Sequence, residues 1–140
     1  MNIKDTIFDP AYPCRIRYKD HIFKCVEAAY QSQKCPSMIE AFTSLDADRA
    51  RQLGKKVPLR DDWEKVKYSI MEEIIRIKFT PENLFKRDQA YFFYTQLDFT
   101  YPQDLIYDVD DYYWGEINGS GLNNLGKILM EIREYNHIPF

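Results

Sequence analysis

Apolar and polar positions change their spacing several times along this chain, and each change marks an element. In "CRIRYKDHIFKC", Cys14 to Cys25, residue types alternate on both sides of Lys19 and Asp20. A period of two is the mark of a strand, so this stretch reads as a small hairpin with Ile16, Tyr18, Ile22 and Phe23 contributing to the core. Helical spacing begins at Val26, where Val26, Ala29, Tyr30 and Gln33 share one side of a helix running to about Cys35. Pro36 stops it, because its ring disfavours helical geometry in the residue before it. Two shorter helical pieces follow, Ser37 to Thr43 and Asp46 to Leu53, with Asp46 as N-cap and Gly54 closing the second.

The strongest periodicity lies in "DDWEKVKYSIMEEIIRIKF", where Trp63, Val66, Ile70, Ile74 and Ile77 form the apolar stripe and Glu64, Lys65, Glu72 and Glu73 stay outward. Thr80-Pro81-Glu82 then supplies a cap, a first-turn proline and an early acid, opening another helix through about Tyr94. After an irregular stretch with a short strand at Leu105 to Tyr107, a last helix from Asn123 to about Tyr135 buries Leu125, Ile128, Leu129 and Ile132. Together these elements predict a mostly helical α+β fold, residues 1–140 forming one domain with a small N-terminal β-hairpin packed on a helical core.

Three clusters of reactive residues sit on this frame. Glu27, Gln31 and Lys34 recur at helical spacing and fall on one side of the opening helix; that side is either an ordinary solvated face or the lining of a pocket. "DDYYWGEINGSGLNNLG" joins a glycine-rich turn to a helix start, whose free N–H groups and positive dipole end suit a phosphate. The same segment places Asp110 and Asp111 beside Tyr112, Tyr113 and Trp114, acids and flat rings able to hold a base, although such a tryptophan can equally fill a core. In "GKKVPLRDDW", Lys55, Lys56 and Arg60 precede a helix, which suits either plain surface charge or a phosphate grip.

Composition narrows the classes. Lysine plus arginine, 19, against aspartate plus glutamate, 22, gives a formal charge of −3, which argues against broad nonspecific adhesion to phosphate backbones. Cys14, Cys25 and Cys35 form no CxxC pair and suit structural thiols in a reducing compartment. His21 and His137 stand far apart without ligand-spaced partners, so no metal site is expected and catalysis would rest on side chains alone. No apolar run reaches the ~20 residues of a bilayer span, and "MNIKDTIFDP" lacks a signal-peptide core, so a cytoplasmic protein without membrane partners is expected.

In order along the chain, "YPC", "VEAAYQSQK", "LGKKVPLRDDWEKVK", "IKF", "DDYYWG" and "GLNNLGKILMEIRE" resemble the motifs of the NADAR (YbiA-like) family, from about Tyr12 to Glu134. The second matches a family pattern of the form V-E-H-x-Y-Q-x-x-K. The resemblance implies an N-glycosidase that needs no metal or cofactor and cuts a ribose C1′–N bond. Its substrates would be ADP-ribose on guanine in DNA or RNA or, as the alternative, ribosylamino-pyrimidine intermediates of riboflavin synthesis; a non-catalytic reader of ADP-ribose or nucleotides is a further alternative.

Matching positions are Glu27, Gln31, Lys34, Arg60, Trp63, Asp111, Trp114, Gly115, Asn124 and Gly126. Under this reading Glu27 is the acid/base. Lys34 attacks C1′ to give a Schiff base, or instead binds phosphate or orients Glu27. Asp111 orients a ribose hydroxyl or water, and Trp114 stacks on the base. Gln31 and Gly115 contact substrate, while Lys55, Arg60 and the turn carrying Gly119, Gly121, Asn123 and Asn124 hold phosphate oxygens. Three departures bear on substrate choice: Pro10 in "IFDPA" where relatives resemble F-x-S-N-F, Ala28 where histidine usually follows the glutamate, and Tyr107 where a glutamate is common.

Overall fold

The alternating stretch near the start folds as the hairpin that its pattern predicts. In the computed structural model, which describes residues 1–81 and 88–137, β1 (Ile16–Tyr18) pairs antiparallel with β2 (His21–Phe23) in the register Ile16↔Phe23, Arg17↔Ile22 and Tyr18↔His21. Lys19 and Asp20 form the turn with φ of 51° and 62°, the left-handed pair that matches the natural strand twist. Opposed residues share a face, so Ile16, Tyr18 and Phe23 are buried while Ile22, paired with Arg17, is 42% exposed. Ile22 is thus not a core residue: it and Phe23 are adjacent and cannot both point inward.

The hairpin belongs to one of two compact units, Pro10–Lys78. Within it α1 (Val26–Ser32) packs against both strands and against α2 (Ala47–Gly54). Cys25 caps α1, its Sγ accepting the Ala28 N–H at 3.4 Å, and the Glu27 N–H donates to the Pro10 carbonyl at 3.0 Å. The helix ends at Ser32 rather than Cys35. There the Gln33 and Lys34 amides bond to Tyr30 and Gln31, three residues back, and this tightening turns the chain ahead of Pro36.

The expected helical piece at Ser37 is a 3-10 segment, Pro36–Phe42, and Asp46 does cap α2, Oδ1 accepting the Arg49 N–H at 2.9 Å. Gly54 is the last residue of α2, but the chain leaves through Lys55 in right-handed geometry, so no left-handed glycine terminates it. Its lack of a side chain serves the approach of α1, as described below.

The long helix α3 (Trp63–Phe79) forms as its pattern predicts, with one correction. Ile77 is exposed, whereas Ile70, Met71, Ile74, Ile75 and Lys78 are buried. The inward stripe follows steps of four along the helix and drifts away from Ile77. Lys78 lies with its ammonium 5.8 Å from the centre of the Tyr12 ring, an apolar stem with a cation–π partner.

The second unit comprises Met1–Asp9 and Phe79–Phe140. Phe79 lies between Phe8 and Phe93, with ring centroids at 6.0 and 5.9 Å. The strand expected at Leu105 to Tyr107 reduces to a single parallel bridge between Asn2 and Ile106. For the helix expected to open at Thr80-Pro81-Glu82, residues 82–87 lie outside the described residues; α4 runs Gln89–Phe99, past Tyr94, and Asp88 caps it through the Tyr91 N–H. It packs on α5 (Asn124–His137), whose Leu125, Ile128, Leu129 and Ile132 are buried as expected. Buried Arg133 of α5 donates through Nη1 to the Thr100 and Gln103 carbonyls, satisfying acceptors beyond the end of α4. The fold class is the mostly helical α+β that the pattern indicates.

Candidate functional site

Every residue of α1 is buried, including its polar side. Glu27 is 8% and Gln31 6% exposed, so this side is not a solvated face. Its carboxylate has a defined set of partners. Gln31 Nε2 donates to Glu27 Oε1 at 3.0 Å and Arg51 Nε donates to the same oxygen at 3.1 Å. Glu27 Oε2 accepts no hydrogen bond among the described residues. A buried carboxylate without a cation would be strongly unfavourable, and Arg51 of α2 supplies one.

Lys34 sits in the turn after α1 rather than on it. Its Nζ lies 5.8 Å from the centre of the Trp63 indole, itself packed on the Tyr30 ring at 5.1 Å. The ammonium has no hydrogen-bond acceptor among the described residues. Burial pulls it below the ordinary lysine range; Glu27 opposes this, while the charges of Lys55 and Lys67 add to it. A greater share of neutral amine near neutrality follows, which is what a nucleophilic lysine requires. Lys55 is exposed and Lys67 half-buried, one helical turn beyond Trp63, where it bonds Glu64 at 2.6 Å.

Arg60 joins this group through its backbone, its N–H donating to the Lys34 carbonyl at 2.9 Å. Its guanidinium is already engaged. Nε and Nη2 grip both oxygens of Asp62 at 2.6 and 3.1 Å, and Nη1 reaches the Gln33 carbonyl at 3.4 Å. The hydrogen bond with Asp62 raises the Arg60 pKa and holds the Asp62 carboxyl below the usual range. Asp62 therefore occupies the fork that a phosphate would use.

The remaining predicted residues lie in the other unit and are largely spent on its own architecture. Asp111 Oδ1 accepts the Tyr113 and Trp114 amides at 3.0 and 2.9 Å, closing the turn that carries them. Trp114 is 9% exposed with its ring edge-on to Tyr113 at 4.7 Å, so little of the indole is open for a base. Asn123, at φ 50°, is buried; its Oδ1 accepts the Tyr107 N–H and its Nδ2 donates to the Leu105 carbonyl, both at 3.0 Å.

The amides expected to cradle phosphate, those of Ser120, Leu122, Asn123, Asn124 and Leu125, bond to carbonyls of Ile117, Tyr112, Gly115, Tyr113 and Trp114. Those five amides are thus engaged by the 112–117 segment. Gly119 (φ 81°) faces open space, whereas a side chain on Gly121 or Gly115 would meet backbone. Of the three departures, Tyr107 donates its hydroxyl to buried Asp9 at 3.2 Å, Pro10 holds the Glu27 amide, and Ala28 is fully buried.

Arg51 and Lys67 are not among the residues singled out from sequence. Arg51 had a trace there: Ala47, Ala50 and Gly54 form a small-residue stripe on α2, all buried, and a residue flanking such a stripe reaches across the close helix contact. Among the described residues no group of three His, Cys, Asp or Glu is placed to hold a metal ion, and no helix is long and apolar enough to cross a membrane. Burial raises the thiol pKa of Cys14, and that of Cys25 to about 11, so both behave as packing groups.

The fold is thus a mostly helical α+β architecture with a buried carboxylate on one short helix and a half-buried amine in the turn that follows it. The NADAR domain family model matches residues 3–135, and the chain belongs to that family. Similar curated proteins include N-glycosidase YbiA of Shigella flexneri, 39% identical over 83 residues covering 58% of this chain and 47% of the relative. YbiA of Escherichia coli is 38% identical over 79 residues, 55% and 44% of the two chains. A riboflavin biosynthesis protein of Vibrio vulnificus is 29% identical over 138 residues, 92% and 35%. The chain spans about half the length, or less, of these curated relatives. The NMR structure of E. coli YbiA superposes with a TM-score of 0.76 at 29% identity, covering 91% of this chain and 76% of that one.

Proposed function

We propose that this protein is an N-glycosidase that cleaves a ribose C1′–N bond with Glu27 and Lys34. The observation that carries the reading is the nearness of a buried carboxylate to a half-buried amine on which its charge acts, with Glu27 Oε2 and Lys34 Nζ neither hydrogen-bonded within the described residues. The names of the YbiA relatives support the same activity.

In the proposed reaction the neutral Lys34 amine forms a bond to C1′ as the C1′–N bond breaks and its electron pair leaves with the base. The proton released from Nζ passes through Glu27 Oε2 to the departing nitrogen. Opening of the sugar ring, as the C1′–O4′ bond breaks and the second Nζ proton passes through Glu27 to O4′, gives the Schiff base, and water then adds across the C=N bond, releasing the sugar as its aldehyde and regenerating the amine. Trp63 provides the apolar wall that keeps Lys34 poorly solvated.

ADP-ribose on guanine in DNA or RNA is the first substrate to test, because the ammonium groups of Lys55 and Lys67, both near Lys34, suit a diphosphate better than a single phosphate. Ribosylamino-pyrimidine intermediates are the second reading, favoured by the name of the Vibrio relative that aligns over most of this chain. Incubation with each substrate, followed by chromatography of the released base and sugar, decides between them. Borohydride should trap the sugar on wild-type protein and not on Lys34→Ala. Full turnover by Lys34→Ala would end the covalent role, and binding without release on either substrate would identify a reader.

A further inference from the structure

We propose that Arg51 is a positioning residue for Glu27, fixing the carboxylate so that Oε2 alone faces the reacting atoms. The inference rests on the glycosidase reading above and adds a residue to it. Both hydrogen bonds to the carboxylate end on one oxygen, from Gln31 Nε2 at 3.0 Å and Arg51 Nε at 3.1 Å. A carboxylate bonded only through Oε1 has its second oxygen available for proton transfer and its rotation restrained. Arg51 is restrained in turn, for its Nη1 donates to Asp48 Oδ1 at 3.3 Å, one turn earlier on α2. Gly54, one turn later, abuts the Gln31 side chain. One face of α2 therefore carries both supports, Arg51 acting directly and Gly54 through Gln31.

Lys34 does not fill this role, because its ammonium stands over Trp63 without a hydrogen bond to the carboxylate. The only cation hydrogen-bonded to Glu27 among the described residues is Arg51. Transfer of a proton through Oε2 demands a fixed distance and direction, and small misplacements are costly to rate. Substrate binding places no such demand on Arg51. Its removal should accordingly appear in kcat and leave KM in place.

The test uses the whole chain and the substrate that the chromatography assay selects. Arg51→Gln should lower kcat ~10–100-fold, the equivalent of losing one charge-assisted hydrogen bond, with KM changed less than about twofold. Arg51→Lys should recover part of the loss, as should millimolar guanidinium added to Arg51→Gln. Asp48 is exposed, so Asp48→Asn leaves the fold intact and should lower kcat only ~2–5-fold. Should Arg51→Gln melt below the assay temperature, Arg51→Lys and Asp48→Asn carry the test. An active wild type and an inactive Glu27→Gln, combined with unchanged kcat in the Arg51 variants or a loss confined to KM, would overturn the role of Arg51 alone. An inert wild type, or a Glu27→Gln variant as active as wild type, would overturn the glycosidase reading and this inference with it.

Discussion

Gly54→Ala offers a sharp test of how α1 and α2 fit together, because two opposing effects of known size meet at one atom. At the end of α2, in right-handed geometry, alanine gains up to ~1 kcal/mol over glycine from backbone entropy alone. The added Cβ would, however, overlap the Gln31 side-chain oxygen and stand 3.0 Å from its Cδ. Gln31 can relieve this only by rotating, which breaks its 3.0 Å hydrogen bond to Glu27 and loses ~1.5–3 kcal/mol for a bond to a charged group. The clash wins, and Gly54→Ala should destabilise by ~1–2 kcal/mol. With Gln31 truncated to alanine the sign should reverse: the nearest remaining Gln31 atom, Cβ, lies 3.6 Å from the new methyl, an ordinary contact, so the propensity gain survives. Urea unfolding of the four proteins in this double-mutant cycle, with constant m-values, should give a coupling of ~1.5–3 kcal/mol. Gly54→Ala costing the same in both backgrounds would refute the account, since the cost would then lie in the backbone.

Two further predictions concern pH and the C-terminal turn. Burial depresses the Lys34 pKa, so the unfolded chain binds a proton that the folded one lacks between the folded and ordinary values; in that window stability rises with pH, and it is reduced below it. The rate of borohydride-trapped adduct should rise with pH through a midpoint below ~10.4, the ordinary lysine value, and a midpoint at or above that value would contradict the desolvation argument. Asn123→Ala should destabilise by ~2–4 kcal/mol, because it orphans the buried Tyr107 amide and Leu105 carbonyl and places a β-carbon-bearing residue without a local polar group at positive φ. Asn123→Gly removes the strain but not the loss of bonds, so a glycine variant as stable as wild type by thermal melting would show that those bonds contribute nothing.

Local pattern carried the elements that depend on short-range physics. The hairpin turn at Lys19-Asp20, the Asp46 cap, the long helix from Trp63 and the stripe of α5 each follow from spacing within a dozen residues, and each is present. The juxtaposition of Glu27, Gln31 and Lys34 was legible too, since helical spacing alone brings the first two together and the following tight turn keeps the third near. Ile22 and Ile77 are apolar in type but face out, because strand register and helix drift govern direction.

Tertiary structure alone decided which polar groups are free to act. No spacing rule links Glu27 to Arg51, 24 positions away; the contact exists because small residues on α2 let two helices approach. Likewise, the amides of Ser120, Leu122, Asn123, Asn124 and Leu125 looked available until the fold supplied carbonyls of residues 112–117 as their partners, and Arg60 looked free until Asp62 filled its fork. A sequence displays donors and acceptors, but hydrogen-bond satisfaction is a property of distances between chain segments, and those distances are set only once the core has packed.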